Sequence, residues 1–318
     1  MSRHPGGRAV TAVRLGALLM IGSAACWALG LVASKAVLDG TDVSSTSILT
    51  VQLGSSVAVL VAVAAARRQR VAGAWRDGWT GVLEPGIAYH LSLAGLATTS
   101  AANATVIASL EPVVIPALAW WLLRTRPTRL QWSMTSLATV GALVVAWDGA
   151  GGESSVVGDV LVFASVVAAA LYVVLSHRQV EHHDPLTLAA AQQGWALGLC
   201  LVVAVVADAG GVTAWPSGAA ETLAIAGSGL LNYAVPFVLY LAALRYLPVA
   251  SAAGYLSSIP VFGLAASAAL LGESVSVVQV VGAVVVVLAL VGLTRRPAPT
   301  GADAAPEQAG VAAVAPGD

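Results

Sequence analysis

Residues 94–131 read AGLATTSAANATVIASLEPVVIPALAWWLLRTRPTRLQ, and residues 242–279 read AALRYLPVASAAGYLSSIPVFGLAASAALLGESVSVVQ. With a shift of 148 and no gap, Ala94, Leu96, Ala102, Ala104, Ser109, Pro112, Val113, Ala117, Leu122, Leu123 and Gln131 fall on identical residues. In so Ala-, Val- and Leu-rich a chain several of these matches arise by chance. The Pro112/Pro260 and Gln131/Gln279 pairs are the informative ones. The chain reads as two copies of one unit.

Around these stretches lie long apolar runs. A membrane-spanning helix needs about 20 mostly apolar residues. Ten segments qualify: 15–38, 44–66, 79–99, 101–123, 130–148, 157–176, 186–207, 219–244, 248–271 and 276–294. Backbone in lipid must satisfy its own hydrogen bonds, so the segments are predicted to be helices. The stretch 82–123 is too long for one span, since about 40 residues at 1.5 Å each would cross a bilayer twice. A tight hairpin at Thr98-Thr99-Ser100-Ala101 divides it. Five helices per half is an odd number, so the second copy enters the membrane from the opposite side. The expected architecture is an all-α polytopic membrane protein with ten transmembrane helices as two inverted five-helix repeats. Such repeats place a site at their interface near the midplane.

Composition agrees. The chain is 58% hydrophobic and 10% charged, with a mean hydropathy of +0.85, against roughly 25% charged residues in a soluble domain. The net charge of −1 gives no reason to expect a nucleic-acid partner. All fourteen arginines lie at 3, 8, 14, 67, 68, 70, 76, 124, 126, 129, 178, 245, 295 and 296, which alternation places on one side. By the positive-inside rule that side is the cytoplasm. Both termini are then cytoplasmic and the protein sits in the plasma (inner) membrane. The expected division is a cytoplasmic N-terminus at 1–14, a first repeat at 15–148, a second at 157–294, and a disordered cytoplasmic tail at 295–318. Ser23-Ala24-Ala25-Cys26 loosely resembles a lipoprotein cleavage site, but the apolar run is long enough to span, so an uncleaved first helix is expected. Cys26 and Cys200 both lie in apolar runs and read as small core residues.

The second half carries Gly158-Asp159-Val160-Leu161, Ala170-Leu171-Tyr172, Pro185 with Gln192, Tyr240-x-x-Ala243-Leu244, Pro248 to Ser251, Pro260-Val261, Leu271-Gly272-Glu273 and Gln279-x-x-Gly282. In order and spacing this resembles the EamA-type family of the drug/metabolite transporter superfamily. The first half is a looser copy, with Trp27-Ala28-Leu29-Gly30, Lys35, Leu110-Glu111-Pro112-Val113 and Gln131. It departs where the family often has an arginine in the second helix (Gln52 here) and a Gly-Glu closing the fourth (Arg124-Thr125 here). The resemblance covers about 280 residues by helix count and motifs. It implies two inverted repeats, alternating access and, in direction, efflux of a small metabolite such as an amino acid or a related compound.

Several residues are candidates for carrying transport. Glu111 lies mid-span before Pro112, and an ionisable group at membrane depth is costly unless it faces a cavity or a partner. It is the candidate proton carrier; the bland reading is a protonated carboxyl donating to a carbonyl freed by a proline. Lys35 either snorkels toward the outer interface near Asp39 or holds a substrate carboxylate. Glu84, near the cytoplasmic end of the third span, falls on Asn232 under the same shift of 148, and with Glu111 is the other candidate for proton coupling. Tyr89 and His90 follow on the same helix, and His titrates near neutral pH. Tyr233, Phe237 and Tyr240 share a helical face that can line a cavity or simply pack. Trp27, Asn103, Tyr172 and Tyr255 complete the expected substrate-binding set, with Gln192 and Gln193 weaker. His177, His182, His183 and Asp184 lack a helical metal-ligand spacing and read as a solvated loop. No cofactor is expected. The partners are a solute, protons and the bilayer, for a monomer or homodimer. The other readings are a membrane-embedded enzyme acting on a lipid-linked substrate and a non-transporting sensor subunit.

Overall fold

The computed structural model describes residues 5–96, 98–99, 104, 107–108, 110–146, 155–271 and 275–295. Among them there is no strand. The helices are α1 (Pro5–Asp39), α2 (Ser45–Ala66), α3 (Ala88–Leu96), α4 (Glu111–Leu123), α5 (Arg129–Ala146), α6 (Val156–Gln179), α7 (Pro185–Ala209), α8 (Ala219–Gly229), α9 (Val235–Leu244), α10 (Val249–Leu256), α11 (Ile259–Leu271) and α12 (Val277–Arg295). Their ends carry local signals. Ser44 caps α2 by accepting from the Ser47 amide at 3.3 Å. Asp184 caps α7 by accepting from Leu186 at 3.0 Å, with Pro185 in the first position. Arg124 closes α4 in the left-handed conformation at φ 55°.

Six helical stretches are long and apolar enough to cross a membrane: Thr11–Ser34, Ser45–Ala66, Val156–Gln179, Pro185–Ala209, Ala219–Leu244 and Val249–Leu270. The chain is a multi-pass membrane protein. Shorter apolar helices at Glu111–Leu123 and Val277–Leu293 accompany them.

Two expected spans are not regular helices. The segment read as 79–99 is a 3-10 turn (Asp77–Val82), a π turn (Leu83–Ile87) and then α3. The segment read as 219–244 is α8, a π turn (Leu230–Ala234) and then α9. Each break has a proline in it or two residues after it, Pro85 and Pro236. A proline has no N–H for the carbonyl four residues back, so the ladder must widen or break there. Glu84, directly before Pro85, has extended backbone (φ −145°, ψ 128°), the region that a following proline favours. The Glu84–Pro85 peptide is cis. The two π turns start 147 residues apart, within one residue of the shift read from the sequence.

Packing repeats between the halves. Helix α1 packs on α9 and α11, while α6 packs on α3 and α4. Helices α2 and α7 pack on each other, as do α5 and α12. Close approaches are made by matched glycines. A Cβ at Gly81 would overlap the Gln192 backbone, and one at Gly229, 148 positions on, would stand 2.5 Å from Gln52 Cα. Gly141 and Gly282 seat α5 against α12, each facing the other's carbonyl. Gly194 lies under the Trp75 ring and Gly254 against Leu293, but a Cβ at Gly198 would meet nothing within 4 Å. Gly198 is therefore not a packing position.

Candidate functional site

Glutamines hold two matched polar clusters. Gln52 Nε2 donates to Ser34 Oγ (2.7 Å) and Ser228 Oγ (2.8 Å). Gln192 Nε2 donates to Ser176 Oγ and Thr80 Oγ1, both at 3.0 Å, and its Oε1 accepts from the Tyr172 hydroxyl at 2.9 Å. Each cluster joins the second helix of one half to a serine on the first helix of a half and to a hydroxyl beside a π turn. Gln193 adds a further tie, donating to Tyr233 O at 2.9 Å and accepting from Ser56. All three glutamines are buried. An unpaired amide there would be costly, and these bonds remove that cost.

Beside the Gln192 cluster, whose Tyr172 is a lining residue, lies a cavity of about 320 Å³. Trp27 and Leu31 line it from α1, Glu84 from the first π turn, Tyr89 from α3, and Glu111, Pro112 and Ile115 from α4. Ala142, Tyr172, Val173, Tyr240 and Leu256 contribute from α5, α6, α9 and α10, with Ala108, Ser257, Ile259 and Pro260. Both halves of the chain therefore share it. Glu84 and Glu111 both line this space. A cavity is what makes such groups tolerable inside a membrane protein. Three buried polar atoms on lining residues have no hydrogen-bond partner: Trp27 Nε1, the Tyr240 hydroxyl and Ser257 Oγ. Trp27 packs edge-on against Phe237 (5.2 Å between centroids), and Tyr172 stacks on Tyr240 (6.1 Å).

The structure brings together Trp27, Glu84, Tyr89, Glu111, Tyr172 and Tyr240. Sequence depth alone set Glu84 near a helix end; it lines the cavity instead. Among the described residues, the other candidates do not line it. Asn232 donates to Ser34 Oγ at 2.8 Å, beside Gly30. Tyr233 packs on Tyr89 (5.6 Å), and its backbone carbonyl is held by Gln193. His90 Nδ1 lies 2.9 Å from Gly86 O. Tyr255 is buried in α10. Asn103 and the Lys35 side chain lie outside the described residues. Of the residues read as a solvated loop, His177 lies instead in the last turn of α6, partly buried, while His183 Nε2 lies 2.6 Å from the Asp77 carboxylate and Asp184 caps α7. The sequence reading missed Ser257 and Ile259; the shift of 148 would have found them, as counterparts of Ser109 and Glu111.

Two halves packed alike around a shared internal cavity, in a multi-pass helical membrane protein, define the class of membrane transporters. The chain belongs to the EamA-like transporter family, within the drug/metabolite transporter superfamily: the family profile matches residues 14–147 and 156–295, one copy on each half. A solved crystal structure 17% identical in sequence superposes with a TM-score of 0.74, covering 88% of this chain and 99% of that one. That likeness concerns the fold. A comparison with curated proteins finds no significant match.

Proposed function

We propose that this transporter moves a small organic metabolite, an amino acid or related compound, across the plasma membrane by alternating access, coupled to protons and in the direction of efflux. The reading takes ten spans as two inverted five-helix repeats, 15–148 and 157–294, with both termini and the tail from 295 in the cytoplasm. Its main support is the pairing of two carboxyls, Glu84 and Glu111, in one cavity built from both halves. Two carboxylates in one low-dielectric cavity cannot both ionise cheaply, so one proton is held or released as the surroundings change. Solute binds among Trp27, Tyr89, Tyr172 and Tyr240. The matched clusters at Gln52 and Gln192 each tie one half to the other, as the two contacts of an inverted pair would. Protonation and solute each favour one of two repeat arrangements.

The test is flux of an amino-acid and metabolite panel in proteoliposomes, with and without an imposed pH gradient, on wild type and Glu111→Gln. The expected result is a solute that moves with the gradient and stalls in the variant. Equal gradient-driven flux in a normally inserted variant would remove Glu111 from the coupling.

A further inference from the structure

Helices α5 and α10 meet along a seam of hydroxyl groups. Gln131 opens it: its Oε1 accepts from the Thr128 N–H at 2.8 Å, and its Nε2 donates to Ser251 Oγ at 3.1 Å. One turn on, Thr135 Oγ1 donates across the seam to Ala250 O at 3.2 Å. A further turn brings Thr139, on the same face by the spacing of four. Ser133, on the exposed side of α5, bonds back to Arg129 O in its own helix. Thr139 does not. Its Oγ1 is buried without a hydrogen-bond partner among the described residues, and so is Ser257 Oγ, just past the end of α10. The two residues are 4% and 3% exposed.

The helices run the same way, since Gln131 meets Ser251 and Thr135 lies against Gly254, where a Cβ would stand 3.1 Å from the Thr135 hydroxyl. Both then reach the cavity, at Ala142 and Ser257. From Gln131 to Ala142 a helix rises roughly 16 Å, about half of a hydrocarbon core of about 30 Å. The seam therefore leads from the end that carries Arg124, Arg126 and Arg129 to the middle of the molecule. At the matched positions of α12 stand Ala283 and Val287, which line an apolar groove instead. Helix packing in this fold does not itself call for hydroxyls there. A buried hydroxyl without a partner is costly, and ordered water is the usual remedy in a polar interior.

We infer that ordered water joins Thr139 to Ser257 and completes a file of hydroxyls between α5 and α10 that carries protons between the arginine-bearing end and the cavity. This gives the coupled proton a route apart from that of the solute; it deepens the carrier reading and rests on it. Hydroxyls and water both donate and accept, so each oxygen takes a proton on a lone pair as it passes its own to the next. The approach at Gly254 is too close for an organic solute. At the cavity the proton is received by the lining carboxyls, Glu84 and Glu111, which ionise far more readily than the lining tyrosines.

The test is rapid-mixing infrared spectroscopy of the full-length protein in membranes, transferred from H2O to D2O. The signal is the protonated-carboxyl stretch that Glu111→Gln removes. Thr139→Val and Ser257→Ala are each expected to slow its exchange about tenfold or more, leaving exchange to the slower opening of the repeats. The final amplitude is expected to stay the same. Thr139→Ser keeps a hydroxyl and is expected to keep the wild-type rate, as is Ser133→Ala on the exposed face. A hydroxyl with a purely structural role would change stability and leave the exchange rate alone. Wild-type rates in both Thr139→Val and Ser257→Ala, or a Thr139→Ser variant as slow as Thr139→Val, overturn the inference. So does the lack of any exchanging carboxyl band that Glu111→Gln removes. If the rates stay at the wild-type value while gradient-driven solute flux is present, the route fails and the carrier reading survives. If exchange slows as expected but no solute of the panel crosses the membrane, the route stands and the carrier reading fails.

Discussion

At Leu83–Ile87 and at Leu230–Ala234 the chain widens into the same π turn, yet the two turns are used differently. Glu84 of the first lines the cavity beside Glu111. Asn232, its counterpart, is 4% exposed and tied to Ser34, in the space that Gly30 leaves open. Gly30 stands four residues before Ser34; four residues before Ser176, the serine of the other cluster, stands Tyr172, which lines the cavity and bonds Gln192. An internal repeat thus duplicates backbone geometry while leaving chemistry free to diverge. One copy keeps a neutral amide that locks packing, and the other keeps a carboxyl that needs a cavity to be tolerated.

The comparison can be broken at its shared parts first. Gly81→Ala drives a methyl group into the Gln192 backbone, which cannot move aside as a side chain would. It is expected to destabilise by about 3 kcal/mol or more, seen as a large fall in melting temperature or loss of monodisperse protein. Gly229→Ala, against the Gln52 backbone, should act in the same direction. Next come the glutamines. Gln192→Ala removes the bonds to Tyr172, Thr80 and Ser176 and takes the acceptor from the buried Tyr172 hydroxyl, whereas Gln52→Ala leaves Ser34 bonded to Asn232 and Ser228 to Ile225 O. The first is expected to cost about 1–3 kcal/mol and more than the second, a ranking that thermal melts would read. Gly198→Ala, facing open space, should stabilise by about 0.5–1 kcal/mol through helix propensity. The smallest effect belongs to His183→Ala, which removes an exposed pair with Asp77 and should change stability by less than about 1 kcal/mol.

Much of the fold was legible because lipid imposes simple rules. The runs read at 44–66 and 186–207 became α2 and α7 to within two residues at each end, since apolar length alone sets a span. The π turns were not legible. Pro85 and Pro236 marked where a hydrogen bond is lost, but a proline does not say whether the helix kinks, widens or stops. The site divided in the same way. Glu111, Trp27 and Tyr172 were found as polar or aromatic residues in apolar runs. Asn232 and Tyr233 carried that signature too, yet they face neighbouring helices rather than the cavity, and His90 bonds back to Gly86 in its own segment. Which face a side chain presents depends on the local winding that the π turns change. Ser257 and Ile259 looked like ordinary apolar-segment residues and gained meaning from their neighbours in space.

The central claim is that equivalent turns carry unequal roles, with coupling resting on the first. It is tested most directly by pH-gradient-driven solute flux in proteoliposomes for wild type, Glu84→Gln and Asn232→Asp. The account predicts that Glu84→Gln folds and inserts but loses its response to the gradient, while Asn232→Asp alters stability and keeps that response. Gradient-driven flux that persists in Glu84→Gln and vanishes in Asn232→Asp would contradict it.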